Sequence, residues 1–72
     1  MLKEYRIRKG ISQETLENIT NIDRKTIFRI ENNLNIPLLD TFAKIAVALE
    51  LTDKEIADEV RKIININNLN TK

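Results

Sequence analysis

The residues best placed to do chemistry lie between positions 24 and 32. Arg24, Lys25, Phe28, Arg29 and Asn32 follow one another at i, i+1, i+4, i+5 and i+8. On a helix, at about 100° per residue, this spacing gathers three cations, an amide and an aromatic ring on one stripe. Ile27 and Ile30 share the other face with the preceding Ile22. Arg can bond guanine O6 and N7 together from its planar fork, Asn can do the same to adenine, and an apolar group can touch the thymine methyl. The bland reading of such a stripe is a solvated charged face. Phe28 weighs against it, because a core closed by Ile27 and Ile30 leaves the ring bare unless a partner covers it. The competing reading packs Phe28 against the next helix, with the register slightly shifted.

Positioning that stripe requires a short helix with defined ends. Asp23 is placed to cap it, and a carboxylate there also suits the positive end of the helix dipole. Ser12 is placed to cap a preceding helix over about Gln13–Ile19, with Leu16 and Ile19 on one face. Thr20, Asn21 and Ile22 make a short turn between the two, where Asn takes positive φ more cheaply than most residues. Two short helices joined by so tight a turn predict a helix-turn-helix, whose second helix fits the DNA major groove. A helix over about Leu2–Lys9 leads in and stops at Gly10, the only glycine. A helix over about Leu39–Leu49 follows, with Phe42, Ile45, Ala46 and Leu49 at helical spacing. Thr52 caps a fifth, with acids in its first turn, Arg61 and Lys62 near its end, and an apolar set of Ile56, Ala57, Val60, Ile63 and Ile64. The expected fold is all-α, with five helices in a domain over 1–64 and an Asn-rich, flexible tail over 65–72.

Composition removes most other chemistries. The 72 residues hold no Cys and no His, so disulfide scaffolds, Cys-based zinc sites, thiol catalysis and histidine general bases are out. Asp53, Glu55, Asp58 and Glu59 lie close together, but at a helix start they fit dipole and solubility roles. There is no Gly-rich phosphate loop, nucleophile–base set or calcium-loop spacing, so neither an enzyme nor a cofactor, metal or small-molecule ligand is expected. No apolar run approaches the ~20 residues of a membrane span, and the setting expected is soluble and cytoplasmic. Net charge is +1, but it is graded. Seven bases and five acids fall in 1–35, against five and six in 36–72.

Three stretches carry a resemblance. Leu2 to Leu16 contains Arg6, Gly10 and Ser12-Gln13-Glu14. Asp23 to Asn32 ends in Arg29-Ile30-Glu31-Asn32. Pro37 to Leu49 contains Asp40-Thr41-Phe42-Ala43-Lys44-Ile45-Ala46. In order and spacing they resemble the DNA-binding domain of the Cro/Xre family of phage-type, lambda-repressor-like regulators, over about 50 residues. Asn21-Ile22-Asp23-Arg24 is also similar to the small controller proteins of restriction–modification systems in the same superfamily. The resemblance implies sequence-specific binding of double-stranded DNA and a repressor-type role in transcription. It implies base-reading positions for Arg24, Lys25 and Arg29 and a methyl contact for Phe28. Gln13 and Thr26 would touch phosphate, and Asn32 the DNA backbone. It further implies that Arg6 and Glu31 pair structurally, joining the first helix to the end of the third. Arg8 and Lys9 are open between phosphate contact and solvation.

The chain departs from that family at four points. Glu17 stands where a small residue is usual, and its carboxylate must reach solvent or find Arg24 or Lys25, in competition with phosphates. Asn21 and Asn33 replace glycines. Leu34-Asn35-Ile36 is apolar where relatives carry bases. One short helix reads few bases, which leaves affinity low at physiological salt. A homodimer on a palindromic operator, with half-sites ~10 base pairs or a multiple apart, answers this. Val60, Ile63 and Ile64 are the expected interface, the alternative being that the whole stripe is intramolecular core. Two further readings stay open: a protein-interaction module such as an antitoxin, and the DNA-binding piece of a larger ligand-responsive regulator.

Overall fold

A computed structural model describes residues 1–67, with the backbone alone at Asn67. It holds five helices and, among these residues, no strand: α1 (Lys3–Lys9), α2 (Gln13–Thr20), α3 (Arg24–Glu31), α4 (Leu39–Ala48) and α5 (Asp53–Asn67). The architecture is all-α, with α2 packed on both α3 and α4.

Helix ends follow local chemistry. The Ser12 hydroxyl accepts from Thr15 N–H at 3.0 Å and the Asp23 carboxylate from Lys25 N–H at 3.0 Å. Thr52 and Glu55 form a reciprocal capping box, with hydroxyl to Glu55 N–H at 3.1 Å and carboxylate to Thr52 N–H at 3.0 Å. Four chain reversals use left-handed residues at Gly10, Asn21, Asn33 and Glu50. At Gly10, Asn33 and Glu50 the two crossed backbone bonds of a Schellman motif absorb the last carbonyls.

The core unites Leu2, Leu16, Ile22, Ile27, Ile30, Phe42, Ile45, Ala46 and Leu49. Ile56, Ile63 and Ile66 of α5 lean against it, half-buried. Because Ile66 extends the spacing of Ile56 and Ile63, α5 keeps an apolar stripe beyond Ile64 and runs to Asn67. The expected domain limit at 64 is therefore not a helix end, and residues 68–72 of the expected tail lie outside the described residues.

Two expectations are corrected. Leu16 and Ile19 were expected to share one face of α2, but Ile19 is 55% exposed, and Thr20 is buried beside Leu16 instead. Positions 16 and 20 are one turn apart and share the inner face. The Thr20 hydroxyl is tolerated there because it donates to the Leu16 carbonyl at 2.7 Å and accepts from Ile22 N–H at 3.2 Å. Glu59, expected on the solvent side, is fully buried. Its Oε1 accepts from Leu2 N–H at 2.8 Å and its Oε2 lies 2.6 Å from Lys62 Nζ. The bond holds Leu2 at φ 71°, a strained conformation for a residue with a Cβ. Full burial of its side chain contributes about 1.5–3 kcal/mol against that strain. Among the described residues no helix is long and apolar enough to cross a membrane.

Candidate nucleic-acid interface

The turn over Asn21–Asp23 aims α3. Asn21, at φ 61°, donates its N–H to the Glu17 carbonyl at 2.7 Å and so ends α2. Asp23 starts α3 immediately after. Ile27 and Ile30 are each 1% exposed, which fixes the rotation of the helix. Arg24, Lys25, Phe28 and Arg29 consequently face solvent, and Thr26 is half-buried. Phe28 is 49% exposed, so of its two readings the outward one is observed.

Each side chain on this face has a definite setting. Glu17 lies 3.7 Å from Arg24 Nε, and its other oxygen accepts from Arg24 N–H at 3.3 Å. Asn35 lies against the Arg29 guanidinium: Arg29 Nη2 donates to its Oδ1 at 3.5 Å, and with the amide turned over its oxygen accepts from Arg29 Nε at 3.1 Å while its nitrogen donates to the Leu34 carbonyl at 2.8 Å. The Glu17 carboxylate thus lies on the Nε side of Arg24, and the Asn35 amide lies on the guanidinium of Arg29. Among the described residues, Lys25 and Arg29 have no acidic partner. Asn32 turns back and donates to the Phe28 carbonyl at 2.8 Å, finishing α3.

Gln13, at the start of α2, donates to Glu31 Oε1 at 3.0 Å. Glu31 is buried, and Arg6 bonds it twice, from Nε at 2.6 Å and from Nη2 at 3.0 Å. That bond pushes the Arg6 guanidinium above its ordinary value. Arg6 Nη1 also donates to the Ile11 carbonyl at 2.9 Å, so one side chain ties α1, the α1–α2 turn and the end of α3. Gln13 therefore braces the same carboxylate from within the candidate interface.

Two further bases of α1 are directed elsewhere. Arg8 bonds Glu55 at 2.6 and 3.2 Å and stacks 4.9 Å from the Tyr5 ring. Lys9 lies 2.6 Å from Glu50. The charge gradient along the sequence is thus partly cancelled by pairing between the halves, and Lys25 and Arg29 of α3 are spared.

Two features were not foreseen. Asn35 sits in a stretch that looked merely apolar, and nothing in the sequence marked it as the partner of Arg29. Glu59 did carry a signal: it lies three residues after Ile56 and four before Ile63, in line with the buried stripe of α5. Val60 and Ile64 are exposed and Ile63 half-buried, so α5 divides its apolar residues between core and surface. A second apolar surface is a groove between α2 and α4, lined by Ile19, Ala43, Val47 and Ala48 with Lys44 at its side. Among the described residues no cluster of acids is placed to hold a metal ion.

No curated protein and no solved structure matches the chain. A family model described as helix-turn-helix matches residues 2–56, from the start of the core through the beginning of α5. With an exposed, cationic α3 carried on a tight α2–α3 turn inside an all-α domain, the chain belongs to the Cro/C1-type helix-turn-helix family of DNA-binding domains.

Proposed function

We propose that this chain is a repressor-type transcription regulator that occupies a palindromic operator as a homodimer in the cytoplasm. The observation that carries the reading is the rotation of α3, which buries Ile27 and Ile30 and turns Arg24, Lys25, Phe28 and Arg29 to solvent. A helix so turned offers forked donors for guanine and an apolar ring for a thymine methyl. Gln13, Thr26 and Asn32 at the edges of this face are read as phosphate and backbone contacts. Such contacts fix register and carry no sequence information directly.

The second copy is assigned to α5. Val60 and Ile64 are left uncovered there beside the half-buried Ile63, which supports a two-fold contact in which each stripe meets its equivalent. In vitro selection from random duplexes at stated salt tests binding, half-site symmetry and spacing together. A palindromic consensus with half-sites one helical turn or a multiple apart supports the proposal. A selection that enriches nothing overturns it, and an asymmetric single site overturns the dimer.

One observation favours a second reading, a protein-interaction module such as an antitoxin. Leu34, Ile36, Leu38 and Leu39 form an exposed apolar run from the α3–α4 connection into the first residue of α4. Retention of one stoichiometric host protein, with no shift of genomic DNA, would favour that reading.

A further inference from the structure

We propose that Glu17 makes Arg24 a reader of bases rather than a phosphate contact. The inference rests on the DNA-binding reading above and adds a residue that decides specificity within it. The geometry is a carboxylate held against one edge of a guanidinium. Glu17 projects from α2, two-thirds buried, and lies 3.7 Å from Arg24 Nε. Its second oxygen accepts from the Arg24 backbone N–H at 3.3 Å. The carboxylate is thus anchored to the residue whose side chain it faces.

Arg has five N–H donors in a fixed fork. A carboxylate on the Nε side leaves the two terminal nitrogens open, a pair that can bond guanine O6 and N7 together. The charge consequence differs for the two kinds of DNA target. A base edge is neutral and can approach the fork with the carboxylate in place. A phosphate approaching the same fork meets an anion already beside it, so its attraction is largely cancelled. Arg24 is 57% exposed, and a pair this exposed shifts an equilibrium by about fivefold at most. Glu17 therefore does not prevent DNA binding. It lowers the sequence-independent part more than the sequence-reading part.

Arg29 provides the internal contrast. Its guanidinium meets the neutral Asn35 amide rather than an acid, so its full charge stays available to phosphates. The same helix presents one arginine with its charge countered and one without.

The test compares wild type with Glu17→Gln on two duplexes, the one won by selection and one of unrelated sequence, at about 50 and 200 mM salt. Gln keeps an oxygen for Arg24 N–H and removes the charge. The expected result is tighter binding of the unrelated duplex, with a steeper salt dependence. The gain is about 3.5-fold larger per protomer at about 50 than at about 200 mM salt, as one added phosphate contact requires. The selected duplex gains less, so the ratio of selected to unrelated affinity falls. Arg24→Lys alone removes the Nε edge and should also lower that ratio, and in this background Glu17→Gln should no longer change it. Equal gains on both duplexes, or an unchanged salt slope, overturn the inference and leave the DNA-binding reading standing. A wild-type chain that binds neither duplex, even at low salt, overturns both.

Discussion

Arg6 and Glu31 close a two-armed ion pair across the molecule, 2.6 Å from Nε and 3.0 Å from Nη2, with both side chains nearly excluded from water. Removing one partner of a buried pair leaves an uncompensated charge and costs about 3–5 kcal/mol. A single core of this size supplies about as much in total. Arg6→Ala is therefore expected to be largely unfolded at room temperature, as read by circular dichroism. Arg6→Lys keeps the charge but not the fork, and should melt between the two. Base preference measured on any folded fraction should be unchanged. An Arg6→Ala protein with a normal melt and an altered preference would show the pair to be part of the interface.

Glu59 is the second buried acid, and its partners are of two kinds, the Leu2 N–H and the Lys62 ammonium. Glu59→Ala removes both contacts; Lys62, 41% exposed, can turn to water, but the buried Leu2 N–H is left unpaired, so stability should fall by about 1–3 kcal/mol. Glu59→Gln retains an acceptor for Leu2 and should lose less. Chemical denaturation of the three proteins orders them. Equal midpoints for wild type and the Ala variant would mean that α5 does not need the bond to hold the start of the chain.

These two carboxylates mark what the sequence made legible. Glu31 was readable because its position matches a motif with a known partner. The helices were readable because Ser12, Asp23 and Thr52 are caps and the isoleucines keep helical spacing. The rotation of α3 followed from Ile27 and Ile30 alone. Glu59 was misread because a charged residue on an apolar stripe is ordinarily assigned to solvent, and its partner Leu2 lies 57 positions away. Ile19 was misread because α2 is two turns long, and so short a helix does not fix by pattern which of two neighbouring residues turns inward. Asn35 was invisible because a loop amide finds its partner only once the loop is folded. Local chemistry is printed in the sequence, whereas contacts between distant segments are not.

The pairing of α1 with α5 makes stability depend on acid. The Arg8 guanidinium, helped by the Thr52 N–H, pulls the Glu55 carboxyl from 4.5 down to about 2. A carboxyl depressed on folding adds stability that is complete above its unfolded value and disappears as pH falls through its folded value. The contribution is therefore present above pH 4.5 and lost between there and about pH 2. Glu4 is lowered chiefly by a hydrogen bond from its own backbone N–H and Glu50 by its bond from Lys9, so they add to the same dependence. Glu55→Gln should melt lower than wild type at neutral pH, and the gap should close as the buffer is acidified into this window. Melting curves that stay parallel down to pH 2 would remove Glu55 as a source of the acid response.

Arg29 is the side chain whose loss should change sequence preference most simply. Its guanidinium rests on the Asn35 amide, and no acid among the described residues counters its charge. A fork held by one edge loses less freedom on meeting a base than a fully mobile one. Arg29→Ala should cost about 1–3 kcal/mol at one preferred base pair and relax selection there, leaving other positions of the consensus intact. Asn35→Ala keeps the guanidinium but releases it, so the same position should weaken by a smaller amount. Affinities on single-base variants of the selected duplex separate these outcomes. A loss spread evenly over every variant would make Arg29 a phosphate contact, and a normal Asn35→Ala profile would make the amide a loop bond with no part in recognition.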